Sequence, residues 1–523
     1  MSKHQLVVIL DYGSQYTQLI TRRVRELGIY SKILPGDVSI ARIEELAPKA
    51  VILSGGPSSV YDEDAPVLPK RFLEYQKAKQ VPVLGICYGM QLLAQSLGGK
   101  VKKAPVREYG RMEVMPAGIS GLFPKGSSAF QAWMSHGDET SEAPAGFEVV
   151  ARSQSGSFAA MENPNQKIYG LQFHPEVTHT VGGIQILENF LVNLSGIKPD
   201  WNMESILEEQ VQAIREKVGP KAAVLCALSG GVDSAVAAVL LHKAVGDRLH
   251  CFFVDHGLLR HKEQERVMEM FRTQLHLPVT CLDHSERFLK LLEGVTDPEK
   301  KRKIIGAEFI QSFEIAAESI AEKVGHLPEF LVQGTLYPDV IESSPGHKHS
   351  MTIKSHHNVG GLPANLRFQL IEPLRELFKD EVRELGKTLG VPQDFLSRHP
   401  FPGPGLAVRI IGDITREKLD ILRQVDEIFI SSLKTSGLYH QIWQAFAVFL
   451  PVRTVGVQGD GRTHDHVVAL RAVTSSDGMT ADWFPLPYPF LAEVSNQICN
   501  SVRGVSRVVY DVTSKPPATI EWE

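Results

Sequence analysis

Cysteine is scarce in this chain. Five are scattered over 523 residues, and no Cys-x-x-Cys pair occurs. That pattern argues against a disulfide framework or a structural zinc site and points to a reducing, cytoplasmic setting. No apolar run approaches the ~18 residues of a membrane-spanning helix. The run from Leu6 to Leu10 stops at Asp11, too short for the apolar region of a signal peptide. A strong charge of one sign is missing as well. The net charge of −5 supplies no broad field for nucleic acid or an anionic membrane, although local basic sites for phosphate stay open. Internal repeats and low-complexity tracts are absent. What remains is ordinary globular composition, 43% hydrophobic and 22% charged, in a chain too long for one core. Its length suggests roughly three domains.

Short apolar runs alternate with helical stretches from residue 5 to about 195. Gln5–Leu10, Ala50–Leu53 and Val81–Ile86 read as strands, and Gln15–Leu27 as a helix. Such runs suggest a parallel sheet covered on both faces, becoming more β-like and turn-rich from Glu108 to Gln172. A break near Gly196-Ile197-Lys198-Pro199 precedes a helix from Met203 to Lys217. A second strand–helix series follows, with strands Ala222–Leu228, Cys251–Val254 and Phe330–Gln333 and helices Lys262–Gln274 and Gly306–Lys323. After Phe401-Pro402-Gly403-Pro404-Gly405 the order reads strand (Ala407–Ile411), helix (Arg416–Leu433), strand (Arg453–Val457), strand (Val467–Val473), helix (Pro489–Val502), strand (Val505–Val512). That is β-α-β-β-α-β, a ferredoxin-like α+β order. The expected division is 5–197, 198–398 and 399–523.

The first chemical motif is Gly85-Ile86-Cys87-Tyr88-Gly89, between a strand and a helix. The glycines permit a crowded turn, so Cys87 reads as the nucleophile on an elbow. Its thiol lies at a helix N-terminus, where the dipole favours thiolate. The N–H of Tyr88 points where an oxyanion would form, and Ser54-Gly55-Gly56-Pro57 offers glycine N–H groups, Gly56 among them, as the second donor. His174 and Glu176 are two apart, a spacing that puts both on one face of a strand. Glu176 can then orient His174 while His174 takes the proton of Cys87. A buried cysteine and a satisfied core histidine are the bland readings of either residue alone; the combination removes them. Cys226, Cys251, Cys281 and Cys499 have no such setting and read as structural. With Cys87, His174 and Glu176 in place, residues 5–195 resemble a class I glutamine amidotransferase domain. The resemblance implies glutamine hydrolysis through a thioester.

The second motif is Ser229-Gly230-Gly231-Val232-Asp233-Ser234, again between strand and helix. Small residues let N–H groups converge on phosphate at a helix N-terminus. It lacks the Gly-Lys-Ser/Thr ending of a Walker A loop. Asp233 is the best Mg²⁺ ligand, with Asp339 weaker. Asp255 and Gly334-Thr335 sit at predicted carboxyl ends of strands, where open α/β sheets bind ligands, and could border the nucleoside. Ile353–Gly361 reads as a phosphate-facing lid; adjacent His356 and His357 do not have metal-ligand spacing. The loop resembles that of the pyrophosphate-loop ATPases, an adenine-nucleotide α-hydrolase-like α/β fold, which split ATP between its α- and β-phosphates. Lys379 reads as an ordinary solvated charge, and the resemblance alone makes it a pyrophosphate contact.

Taken with the C-terminal stretches Gly456–Arg462 and Lys515–Glu523, the whole chain resembles the glutamine-hydrolysing GMP synthetases. No catalytic position departs from that family. The resemblance implies glutamine, ATP, Mg²⁺ and xanthosine 5′-monophosphate (XMP) as partners, and a homodimer through the C-terminal segment. It implies no nucleic acid or membrane. It assigns XMP to Pro402, Gly403, Pro404, Lys515, Thr519, Ile520 and Glu521, with Gln458 and Arg507 as lesser contacts. A glutamine-dependent NAD synthetase would share the phosphate loop, but that family typically uses a nitrilase-type glutaminase. A non-catalytic sensor is disfavoured by the presence of Cys87 and Asp233.

Overall fold

The computed structural model describes residues 4–118, 120–124, 126–343, 368–458, 461–475 and 480–523. The stretch Ile353–Gly361, together with Gly459, Asp460 and the side chain of Gln458, lies outside the described residues. Contacts divide the chain into two compact units, Met1–Ile206 with Pro338–Ser355 and Leu207–Tyr337 with His356–Glu523. Among the described residues no helix is long and apolar enough to cross a membrane.

The first unit is built on nine strands: β1 (Leu6–Asp11), β2 (Tyr30–Pro35), β3 (Ala50–Leu53), β4 (Val83–Ile86), β5 (Lys100–Pro116), β6 (Phe130–Glu142), β7 (Glu148–Ser153), β8 (Phe158–Asn163) and β9 (Ile168–Leu171). Their order is β2-β1-β3-β4-β9-β8-β7-β5-β6. The five from β2 to β9 run parallel. The rest pair antiparallel, which is the β-rich, turn-rich stretch legible between Glu108 and Gln172. β3, β4 and β9 are buried along their whole length, as strands covered on both faces must be.

The second unit contains a five-stranded, all-parallel sheet: β10 (Val224–Leu228), β11 (Leu249–Asp255), β12 (Val279–Asp283), β13 (Phe330–Val332) and β14 (Gln369–Ile371), in the order β12-β11-β10-β13-β14. The helix expected over Gly306–Lys323 runs from Pro298 to Val324. Asp297 caps it by accepting from Lys300 N at 2.8 Å, and Pro298 opens it, an Asp-Pro start that the apolar periodicity did not reveal.

A four-stranded sheet follows, from β15 (Gln444–Gln458), β16 (Gly461–Thr474), β17 (Asp482–Trp483) and β18 (Val505–Tyr510). β15 and β17 pair antiparallel with β16, and β18 pairs with it in parallel. The expected strand Ala407–Ile411 is a correction. Gly405–Arg409 is a 3-10 turn, and only Ile410 forms a bridge, to Phe449. Pro404 starts the turn, and Gly405 takes φ +62° where a Cβ would stand 2.5 Å from Leu258 O. Ladder bonding gives way to a buried lysine: Lys301 Nζ donates to Ala407 O at 3.3 Å and Ile410 O at 2.7 Å. So the β-α-β-β-α-β order loses its first strand. One hydrophobic core contains Phe252, Phe288 and Leu331 as well as Leu406, Phe429 and Val468. The 198–398 and 399–523 segments therefore share packing.

Candidate functional site

In the first unit the carboxyl edge of the parallel strands gathers the sequence motifs. Cys87 occupies the turn between β4 and the helix Tyr88–Ser96, with φ 53° and ψ −108°. That backbone costs ~1–3 kcal/mol for a residue with a side chain and persists because its surroundings enforce it. Cys87 N donates to Leu171 O at 2.7 Å, which ties the elbow to β9. The two flanking glycines are required by contact. A Cβ on Gly85 would meet Gly89 at 2.5 Å, and one on Gly89 would meet Leu53 O at 2.5 Å.

His174 Nδ1 lies 2.7 Å from Glu176 Oε1, and both side chains are buried. The pairing is as expected, but its cause is not. β9 ends at Leu171, so strand alternation does not place Glu176. Pro175 breaks the run, and a turn closed by Thr180 N on Val177 O and Thr180 Oγ1 on His174 O (2.6 Å) brings the carboxylate back. The imidazole is held well above its ordinary pKa. Burial pulls it down, but the Glu176 charge and the Cys87 hydrogen bond outweigh that. With Nδ1 on Glu176, the other ring nitrogen is left to serve the sulfur.

The Gly55-Gly56 turn packs against both partners. A Cβ on Gly55 would be 3.2 Å from His174 Cε1 and 3.6 Å from Cys87 Cβ, and one on Gly56 would be 2.6 Å from Tyr12 O. Ser54 Oγ donates to Gly55 O at 2.8 Å and accepts from Tyr12 N at 3.0 Å, which fixes the peptide between the two glycines. A cavity of about 730 Å³ opens over Cys87, lined among others by Gly56, Tyr88, His136, Asp138 and His174. It is roomy enough for an amino acid. Elbow, paired imidazole and glycine turn are the parts needed for attack on an amide carbonyl.

In the second unit the Ser229–Ser234 loop joins β10 to the helix Val232–Val245. Gly230 takes φ +75°, and Gly231 is the N-cap residue. Lys379 Nζ is 2.6 Å from each carboxylate oxygen of Asp233, so the structure brings these two sequence candidates together. Gly334 joins them: a Cβ there would be 3.5 Å from Asp233 Cβ. Thr335 Oγ1 is turned to Glu372, 2.7 Å away. Asp255 ends β11 and accepts from Gly257 N at 2.8 Å; burial raises its pKa. Asp339 lies in the first turn of the helix Tyr337–Ser343.

The proline loop packs on the segment after Asp255, with Leu406 N donating to Leu258 O at 2.8 Å. The tail is docked. Ile520 is buried with Phe446 and Val448, and Arg471 donates to Ile520 O at 2.8 Å and Thr519 O at 3.0 Å. Glu521 accepts from Arg409 Nη2 at 2.8 Å and Gln444 Nε2 at 2.7 Å. Lys515 is held by backbone bonds to Ala481. Arg507 is exposed on β18. Sequence reasoning missed Arg409, Gln444, Glu372 and Arg398, which donates to Gly230 O at 3.4 Å and pairs with Glu263. No local motif marks them, because each acts across a fold contact.

A cysteine elbow with a buried His–Glu pair at the edge of a parallel sheet defines the glutamine amidotransferases of class I, and that family's model matches residues 8–194. Further on, the tRNA methyl transferase HUP domain model matches residues 222–273, and the GMP synthase C terminal domain model matches 431–522. The similarity extends over the full length. The chain is 55% identical to a glutamine-hydrolysing GMP synthase of Brachyspira hyodysenteriae, covering 99% of each. It is 56% identical to that of Chlorobium luteolum over 99% of this chain and 100% of the relative, and to that of Caldicellulosiruptor saccharolyticus over 100% of both. The chain belongs to the family of glutamine-hydrolysing GMP synthases.

Proposed function

We propose that this enzyme makes GMP from XMP, ATP and glutamine. Cys87 attacks the amide carbon of glutamine while His174 takes the thiol proton and passes it to the departing ammonia. Tyr88 and Gly56 N–H groups stabilise the oxyanion, and water then releases glutamate from the thioester. In the second unit ATP adenylates the purine O2 of XMP with release of pyrophosphate, and ammonia displaces AMP. The observation that carries the reading is the Cys87–His174–Glu176 geometry in a chain 55% identical over its length to a glutamine-hydrolysing GMP synthase.

The residues present suit a bound nucleotide. Gly230 in the left-handed region and the amino end of a fourteen-residue helix present N–H groups to phosphate, and Asp233 stands on the first turn. Among the described residues no group of three or more His, Cys, Asp or Glu side chains forms a metal cage. Asp233, on the first helical turn, would share Mg²⁺ with phosphate oxygens, as that ion prefers. Mg²⁺, when bound, neutralises charge on the departing pyrophosphate. Lys379, released from Asp233, serves the same phosphates, and Ser229, Val232, Ser234, Asp255, Gly334 and Thr335 border the nucleotide. Pro402, Gly403, Pro404, Lys515, Thr519, Ile520 and Glu521 hold XMP, with Gln458 and Arg507 as lesser contacts. The bond from Leu406 to Leu258, just past Asp255, supports adjoining acceptor and ATP sites. Residues 5–197, 198–398 and 399–523 act as glutaminase, pyrophosphatase and dimerisation modules of a cytoplasmic homodimer.

The test is a product assay with glutamine, ATP, Mg²⁺ and a panel of acceptors that includes inosine monophosphate and nicotinate dinucleotide. GMP, AMP and pyrophosphate should form with XMP. AMP formation with another acceptor and none with XMP would sink the reading.

A further inference from the structure

Behind the nucleophile lies a buried polar chain that the hydrolysis mechanism does not use. Gln172 Nε2 is 3.7 Å from Cys87 Sγ. Gln172 Oε1 is 3.2 Å from Gln91 Nε2, which also lies 2.9 Å from Asp138 O. Gln91 and Gln172 are both buried. On the far side His136 Nδ1 reaches the same Asp138 O at 2.9 Å, and its Nε2 is 2.9 Å from Glu108 Oε2. Glu108 Oε1 accepts from Ser153 at 2.6 Å and Ser155 at 2.5 Å.

Chemistry assigns every amide in this chain. A peptide carbonyl only accepts, so Gln91 must turn its NH₂ to Asp138 O. The second proton of that NH₂ then meets Gln172, which must answer with its carbonyl. The NH₂ of Gln172 is left facing sulfur. Asp138 O cannot move to release the arrangement, because the His136–Glu108 pair holds it from behind. A neutral thiol donates to Ser135 O, 3.7 Å away. Once the proton has gone to His174, Ser135 O offers the sulfur nothing. The Gln172 N–H does, and a bond to an ionised acceptor is about twice as strong as one to a neutral acceptor.

We propose that Gln172 is a further catalytic residue of the glutaminase site: its amide donates to the Cys87 thiolate, and Gln91, Asp138 O and the His136–Glu108 pair are positioning groups that fix which end of the amide it presents. The proposal rests on Cys87 being the nucleophile. Gln172 does not line the cavity, so it acts on the sulfur and not on glutamine binding.

The test is the pH dependence of Cys87 alkylation by iodoacetamide in the full-length protein, with Cys87→Ala as the background for the other cysteines. Thiolate is the species that reacts. Other charged or titratable groups about the site are His174 and Glu176 after β9, His136, Asp138 and Glu108 from the β5–β6 hairpin, and Asp62, Lys103, Arg107, Tyr16, Tyr61, Tyr88 and Tyr109 at the cavity wall. All of them stay in place in Gln172→Met. Loss of one charge-assisted donor should slow alkylation near neutral pH about tenfold and move its inflection upward. Glutaminase kcat should fall with it while KM for glutamine changes little. Gln91→Leu, which leaves Gln172 free to turn, should slow alkylation and shift its inflection in the same direction; because Gln91 also lines the cavity, its alkylation profile and not its KM decides the matter if Gln172→Met does not fold. A wild-type alkylation profile in the folded variant overturns the proposal. If Cys87→Ala keeps glutaminase activity, the nucleophile assignment fails instead.

Discussion

Single side chains separate the two half-reactions. Cys87→Ala should abolish glutamine-dependent synthesis and spare synthesis from added ammonium, because only thioester formation needs the thiol. Parallel assays with the two nitrogen sources check this, and equal loss of both would contradict it. Asp233→Asn should cripple both, since on the proposed reading the Asp233 carboxylate, which here pairs with Lys379, is the charge placed beside Mg²⁺ and pyrophosphate. Ammonium-dependent turnover near wild type would remove it from the metal site. Glu108 carries a stability prediction. Burial raises its pKa, but bonds from His136, Ser153 and Ser155 prevail and hold it at about 2, below its ordinary 4.5. A carboxyl with a depressed value contributes stability above the unfolded value and loses it as pH falls through the folded one. Glu108→Gln should therefore cost about 3–5 kcal/mol at pH 7, the scale of breaking a buried pair. The gap to wild type should narrow as pH falls from 4.5 towards 2. Urea unfolding at pH 7 and pH 3 measures it, and an equal gap at both would refute the linkage.

At the scale of elements, what could be read from the sequence was what is local along it. The Gly-x-Cys-x-Gly elbow announces itself because both glycines are forced by contacts within one strand–turn–helix and its neighbour, whereas in Ser229–Ser234 it is the positive φ of Gly230 that calls for glycine. The apolar run that suggested a strand at Ala407–Ile411 is buried from Ala407 to Ile410, but not as a strand. The strand failed because burial there comes from a turn wedged on Leu258 with its carbonyls satisfied by Lys301, 106 residues before Ala407. His174–Glu176 was read correctly for a different reason, a turn in place of an extended strand. Gln172, two residues before His174, was within reach of the same reading, but its role depends on Gln91 and Asp138, which only the fold brings near. The turn also supports a prediction. Gly405→Ala puts a Cβ 2.5 Å from Leu258 O at φ +62°. It should lower stability by about 1–3 kcal/mol. It should also raise KM for XMP, because Pro402–Pro404 lose their anchor on the Asp255 segment. Thermal unfolding and XMP kinetics check both, and unchanged values would mean the loop closes without that contact.

For the whole molecule, the shared core changes how assembly can be tested. Cutting the chain near Arg398 would remove the proposed dimer surface, but it would also strip Leu406, Phe429 and Val468 from the core that holds Phe252 and Leu331. Loss of the dimer would then say only that the second unit had unfolded. The surface itself offers a cleaner handle. Val455 and Val457 alternate on β15 and are 55% and 75% exposed, and Val452 beside them is 53% exposed. Valines so placed on a strand paired with β16 form an apolar stripe that a monomer has little reason to keep. In the proposed homodimer the second copy of the chain buries them. Val455→Asp with Val457→Asp should therefore raise the dimer dissociation constant at least ~100-fold, the effect of about 3 kcal/mol from two carboxylates trapped in an apolar contact. The fold should survive, because both side chains are already exposed in the single chain. Sedimentation of the full-length variant should show the monomer mass with a thermal unfolding transition retained. A dimer of unchanged strength would move the interface away from the β15–β16 hairpin.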